Sequence, residues 1–199
     1  MANEKDVLVQ IRNLYVTYGT RLGSVSAVDD VSFDIYRGEI LGLVGESGCG
    51  KSTLGKALMR MIKSPGEIAG GQVIFNGEDI MEYSDKQMRD FRGRRTSMIF
   101  QDPMTSLNPV QRVDEHMIEA IEVHEQKTKK ENITDRITSL IERLGIQKRR
   151  LTDYPHQLSG GMRQRVMIGL GLVLNAHLII ADEATTSLDV IVEANLVDQ

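Results

Sequence analysis

The chain has 199 residues, 41% hydrophobic and 26% charged, enough for one well-buried soluble domain or a core plus a small subdomain. Its net charge of −4 argues against nucleic acid as a partner, because phosphate backbones demand concentrated Lys and Arg. A single cysteine, Cys49, excludes an intrachain disulfide and a cysteine-only metal cluster.

That cysteine count suits a reducing compartment, and residues 1–6 lack an apolar signal core, so secretion is not expected. No apolar run approaches the ~18 residues of a bilayer span. Residues 7–11 and 14–18 read as two strands rich in β-branched and aromatic residues, the second ended by Gly19. Residues 31–35 alternate apolar and polar, a half-buried strand, and Arg37-Gly38-Glu39 turns the chain. Ile40-Leu41-Gly42-Leu43-Val44 is apolar enough for a strand buried on both faces.

Gly45-Glu46-Ser47-Gly48-Cys49-Gly50-Lys51-Ser52, followed by Thr53, fits the phosphate-binding loop pattern G-x-x-x-x-G-K-[ST]. Behind it Leu54, Ala57, Leu58, Met61 and Ile62 recur at helical spacing, so the loop joins a strand to a helix as the motif requires. Glycines 45, 48 and 50 permit positive φ, and the successive backbone N–H groups with the helix N-terminus make a concave anion site. Lys51 is expected to reach the β- and γ-phosphates, and the Ser52 hydroxyl to complete a Mg²⁺ shell. A glycine-rich turn alone is the bland alternative, and the flanking elements speak against it.

Ser64-Pro65-Gly66 is expected to stop that helix. Residues 71–75 read as a strand reversed by Asn76-Gly77. A basic stretch at 89–95 precedes a short strand at 96–100, and Gln101-Asp102-Pro103 breaks the pattern. Residues 114–123 and 133–144 are predicted helices; in the second, Ile133, Ile137, Leu140, Ile141 and Leu144 share a face, with Gly145 as C-terminal cap. The lysines of the connector between them read as a solvated surface.

Leu178-Ile179-Ile180-Ala181 is an apolar run ending in Asp182 and Glu183. In company with a phosphate loop, Asp182 suits support of the Mg²⁺ shell and Glu183 suits polarising an attacking water; alone, both would be surface acids closing a strand. Ser159, Gly160 and Gly161 open a predicted helix over 162–174, either as a plain N-cap or as a second anion-binding terminus. A second such terminus makes most sense if two chains face each other and share nucleotides.

In their order and spacing the phosphate loop, Gln101, Leu158-Ser159-Gly160-Gly161, Asp182-Glu183 and Ser187-Leu188-Asp189 resemble the ATP-binding subunit of ABC transporters. Residues 100–109 and Tyr154-Pro155-His156-Gln157-Leu158 are similar to the di/oligopeptide (or nickel) importer branch, particularly its D-type subunits. The resemblance implies an α/β fold: a P-loop, RecA-like ATPase core with an N-terminal antiparallel β subdomain (1–100 and 158–199) and an inserted α-helical subdomain (101–157). It implies that Tyr18 stacks on adenine and that Gln101 senses Mg²⁺ and the attacking water. It also implies that Ser159 and Gly161 bind the γ-phosphate held by the opposite subunit, and that Asp189 communicates across that dimer.

The implied partners are a second ATPase subunit, non-identical by the family's habit, membrane permeases and, indirectly, a solute-binding protein, at the cytoplasmic face of the cell membrane. Ala184 departs from the family's proline, and none of His116, His124, His156 and His177 follows Asp189, where the family has a histidine for the γ-phosphate. The resemblance thus implies a truncated chain that binds ATP better than it hydrolyses it. A binding-only fragment and a soluble ABC ATPase acting on nucleic acid are the competing readings. The second lacks the long coiled coil and zinc cysteines of such proteins.

Overall fold

The computed structural model describes residues 6–100, 107–125 and 130–183. Two compact units form, Met1–Arg89 and Asp90–Gln199. In the first, β1 (Val7–Thr20), β2 (Gly23–Tyr36), β3 (Gly66–Phe75) and β4 (Glu78–Asp79) make an antiparallel sheet of order β2-β1-β3-β4. The two strands expected over 7–18 are one. Its buried positions run Val9, Ile11 and then Leu14, Val16, a change of phase that a period of two cannot make without an extra residue. Asn13 makes it at φ 45°, its N–H donating to Ser32 Oγ at 2.8 Å and its Nδ2 to Asp30 Oδ1 at 2.7 Å. On β3, a Cβ on Gly71 would lie 2.3 Å from the Asn13 carbonyl oxygen, so only glycine passes there.

Asn76 and Gly77 reverse the chain at φ 52° and 85°, pairing Phe75 with Glu78 as their sequence predicts. The helix after the phosphate loop, α1 (Lys51–Leu58), is shorter than its apolar spacing suggests. Arg60 turns left-handed at φ 49°; its N–H donates to Ala57 O at 2.9 Å and the Met61 N–H to Lys56 O at 2.8 Å, closing the helix before Met61 and Ile62. The Arg60 guanidinium donates to the Ile80 and Tyr83 carbonyls at 3.0 and 2.7 Å, which holds that conformation in place.

The strand expected at residues 40–44 is corrected. The segment has no strand pairing, and Ile40 and Val44 are 82% and 94% exposed. A buried strand needs neighbours on both sides to satisfy its N–H and C=O groups, and no described strand pairs with this one. Apolar composition alone does not supply them.

In the second unit β5 (Thr96–Ile99) and β6 (Leu178–Ala181) pair in parallel. Between them in sequence lie α3 (Val113–His124), α4 (Lys130–Arg143) and α5 (Gly160–Leu172). The i, i+4 stripes of α3 and α4, Val113, Met117, Ile121 and Ile133, Ile137, Ile141, pack with Val166 and Met167 of α5 into one buried cluster. The helices approach closely at Gly169, where a Cβ would lie 2.8 Å from Met117 Cε and 3.2 Å from Leu144 Cδ1. Gly145 caps α4 at φ 71° as expected.

The basic stretch at 89–95 holds a helix that its composition hides, α2 (Asp85–Arg94), broken at Arg92 and Gly93. The C-terminal carbonyl of α3, on His124, accepts two bonds from the Arg94 guanidinium, that from Nε at 2.7 Å. The His124 imidazole lies against Gly93, where a Cβ would come within 2.5 Å of Nε2. Burial first, and then the neighbouring Arg94 charge, push the His124 pKa below 6.5, against weaker opposing pulls from Asp90 and Glu125. The folded chain therefore takes up this proton less readily than the unfolded one. Its contribution to stability is complete above pH 6.5 and is lost as pH falls through the lowered pKa. Urea midpoints measured from pH 7.5 to 5.5 are expected to fall on acidification, with a shallower slope in His124→Gln.

Candidate nucleotide-binding site

The phosphate loop is built on glycine geometry. Gly48 and Gly50 take φ 81° and 98°, whereas Gly45 is not in the left-handed region expected of it. What Gly45 supplies is room: a Cβ there would lie 2.7 Å from Cys49 Sγ. Gly50 is the N-cap of α1 and provides no side-chain acceptor, and the first N–H bonded within the helix is that of Leu54, to Gly50 O at 2.8 Å. The amides of Lys51, Ser52 and Thr53 thus open the helix at its positive end, the arrangement that suits an oxyanion. The Lys51 ammonium donates to the carbonyls of Gly45 and Glu46 at 2.8 and 2.7 Å, so it is held over the loop that its own backbone forms.

What seats the loop is invisible in the motif. Between the Val16–Val28 and Thr17–Ser26 pairs, Ala27 is an extra residue on β2. Its carbonyl oxygen lies where a Cβ on Gly50 would come within 2.1 Å. The loop therefore rests on the β1–β2 hairpin at this bulge, next along the ladder from Tyr18, which pairs with Val25 and Gly66. The Tyr18 ring lies across Gly66, where a Cβ would be 2.5 Å from Cε1. Tyr18 and the phosphate loop are thus brought to one end of one hairpin. No local signal in the sequence marks Ala27; only the register does.

In the second unit Asp182 and Glu183 follow β6 directly. The Asp182 N–H donates to Ile99 O at 3.0 Å, and Asp182 is half-buried while Glu183 is exposed at φ 49°. Ser159 is the N-cap of α5, its hydroxyl accepting from Met162 N–H at 3.3 Å, and Ser159 and Gly160 are exposed. At its other end α5 meets β5, where a Cβ on Gly171 would lie 2.6 Å from Ile99 Cγ1. Twelve residues of helical rise separate Ser159 from Gly171, roughly 18 Å at 1.5 Å per residue. Ser159 is therefore held far along the helix from the strand end that carries the acids. Gln101 and Asp189 lie outside the described residues.

The family model for the ABC transporter matches residues 28–186. The chain is 43% identical over 194 residues to the oligopeptide transport ATP-binding protein OppD of Escherichia coli (strain K12), covering 97% of this chain and 57% of that protein. It is 45% identical over 193 residues to the oligopeptide transport ATP-binding protein OppF of Bacillus subtilis (strain 168), covering 96% and 61%. The chain thus spans less than two thirds of the length of these curated relatives. Among solved structures, a dimeric ATP-binding cassette in a post-hydrolysis state with ADP and Pi matches at a TM-score of 0.86 and 25% identity, covering 96% of this chain and 80% of that one. The fold is accordingly that of an α/β P-loop ATPase cassette. Because the matched span takes in the phosphate loop, the capped serine and both acids, the chain belongs to the ABC transporter family.

Proposed function

We propose that this chain is the ATP-binding and hydrolysing subunit of an importer for di- or oligopeptides. Its work is to convert closure of an ATPase dimer into substrate translocation by membrane permeases. The observation behind this reading is the exposed Ser159 cap, held roughly 18 Å of helix away from the Asp182–Glu183 strand end. Such a cap is poorly placed for its own chain's acids, which supports reading it as a lid for a neighbour's triphosphate. In this reading the amides around Gly48 and Gly50 cradle the phosphates, Lys51 neutralises them and Tyr18 covers the base.

Mg²⁺ takes hard oxygen donors, few from protein and several from water and phosphate. The Ser52 hydroxyl and the Asp182 carboxylate are of that kind, and with Gln101 they are the proposed donors. Bound Mg²⁺ supplies charge stabilisation at the phosphoryl oxygens. Glu183 accepts a proton from the attacking water, Ser159, Gly160 and Gly161 present the lid in trans, and Asp189 relays between subunits. Residues 101–157 are the proposed helical subdomain, seated on the permeases.

The partner ATPase is proposed to be a related, non-identical subunit. A solute-binding protein delivers cargo outside, and no nucleic acid takes part. No helix among the described residues is long and apolar enough to cross a membrane, so attachment to the cytoplasmic face is proposed to be peripheral.

The test compares two variants in the assembled complex. Lys51→Ala is expected to lower the affinity of this chain's own cradle for a fluorescent ATP analogue by about 100-fold. Ser159→Ala is expected to leave that affinity within about 2-fold while lowering ATP-driven peptide uptake by at least 10-fold. If Ser159→Ala weakened the chain's own cradle as much as Lys51→Ala, the lid would act in cis and the reading would be wrong.

A further inference from the structure

The first turn of α5 opens on two glycines that contribute no side chain, set between Leu158 and Met162, which pack on the helical cluster. Gly160 faces open space, with nothing within 4 Å of an added Cβ, and Gly161 has no side chain with which to pack. One side chain reaches this turn from further along the helix. Arg165 Nε donates to the Gly161 carbonyl at 3.3 Å, and its NH1 donates to the carbonyls of Leu144 and Gly145 at 3.3 and 3.1 Å.

Those last two acceptors are left over from the end of α4. There the Gly145 N–H bonds Glu142 O at 2.9 Å and the Ile146 N–H bonds Ile141 O at 3.0 Å, with Gly145 at φ 71°. The cap satisfies the Ile141 and Glu142 carbonyls; further on, those of Leu144 and Gly145 both accept from Arg165 NH1, while Nε of the same planar group reaches Gly161. The cationic group also sits at the negative end of α4. Gly145 is fitted to this: a Cβ there would lie 3.0 Å from NH1.

We propose that Arg165 is a positioning residue for Ser159, Gly160 and Gly161. It ties the first turn of α5 to the capped end of α4 and so fixes where Ser159, Gly160 and Gly161 stand. α4 is anchored by Ile133, Ile137 and Ile141 in the helical cluster on which Leu158 and Met162 also pack, so the tie adds a hydrogen-bonded brace to the two glycines between them. Arg165 acts on the shared nucleotide through that turn. The inference rests on the trans lid proposed above.

The experiment uses the complete protein assembled with its partner ATPase, with Arg165→Ala, Arg165→Lys and Ser159→Ala made in parallel and the folded fraction matched by circular dichroism. Arg165→Ala is expected to raise the KM for ATP in the complex by about 10-fold, with the affinity of its own cradle for a fluorescent ATP analogue within about 2-fold of the parent. Arg165→Lys keeps the charge and loses the fork, and is expected to reverse less than half of that rise in KM. If Ser159→Ala impaired the complex and Arg165→Ala did not, the positioning role would be overturned while the trans lid stood. If Ser159→Ala itself had no effect, the underlying reading would fall instead. Should Arg165→Ala not fold, Arg165→Lys decides the matter: parental KM and turnover would overturn the proposal, and a raised KM in a folded chain would support it.

Discussion

Gly50→Ala is expected to abolish nucleotide binding and to destabilise the first unit by about 3 kcal/mol, the sum of a strained φ and a backbone clash. Two independent obstacles meet at this position. The residue sits at φ 98°, where a β-carbon is strained whatever the surrounding space. In addition, the added carbon would lie 2.1 Å from the Ala27 carbonyl oxygen, an atom of β2 itself. Side chains can rotate away from an intruder, whereas a carbonyl in a sheet ladder cannot move without unpairing its neighbours. Relief must therefore come from the loop, and the loop's amides then lose their common focus.

Two comparisons isolate the cause. Gly48→Ala shares the positive φ, at 81°, but meets nothing within 4 Å, so it is expected to cost only about 1 kcal/mol and to weaken binding modestly. Adding Ala27→Gly to Gly50→Ala is expected to restore nothing, because the clash is with main chain that glycine also has. Urea unfolding and titration with a fluorescent ATP analogue measure both quantities. Retention of parental affinity in Gly50→Ala would show that the loop is not seated on the hairpin in this way.

Features encoded by neighbours in sequence were the legible ones. Asn76-Gly77 fixes its own hairpin because both residues tolerate positive φ, and Gly145 ends α4 for the same local reason. The stripe of Ile133, Ile137 and Ile141 announces a buried helix face, and Ser159 announces the cap that it forms. Features that depend on distant partners were not. The phase change at Asn13 needs Ser32, Asp30 and Gly71, three contacts on two other strands, and so residues 7–18 look like two strands. Residues 40–44 look buried because they are apolar, yet burial of a strand requires ladders on either side.

The site divides along the same line. Lys51, Ser52, Asp182 and Glu183 are visible because their chemistry is compressed into short motifs. Ala27 and Arg165 are hidden because one contributes a carbonyl that every residue possesses, and the other reaches two carbonyls some 20 residues away in sequence.

Glu183→Gln is expected to lower turnover by about 1,000-fold while leaving ATP affinity intact, so that an ATP-loaded dimer accumulates. The substitution keeps the volume and the hydrogen-bonding reach of the side chain and removes its ability to accept a proton. The backbone should not respond. Asp182, one residue earlier, is pinned by its N–H to Ile99 O at 3.0 Å, so the acid pair begins from a fixed point at the end of the parallel strands. Glu183 then turns away at φ 49°, a conformation that costs a non-glycine residue roughly 1 kcal/mol. Glu183→Gly removes both that strain and the carboxylate. It is expected to stabilise the fold by up to about 1 kcal/mol and to be as inactive as Glu183→Gln.

The pair of variants separates geometry from chemistry. Loss of turnover in both, with stability unchanged in one and raised in the other, assigns the effect to the missing base. Asp182→Asn is expected to behave differently, weakening the Mg²⁺ dependence of ATP binding before it affects the chemical step, because its carboxylate is the proposed metal support. Single-turnover hydrolysis with Mg²⁺ titration, together with sedimentation of the ATP-loaded complex, distinguishes the two acids. Turnover in Glu183→Gln above about a tenth of the parental rate, with no accumulated dimer, would remove Glu183 from the role of base and leave the acid pair as a simple strand end.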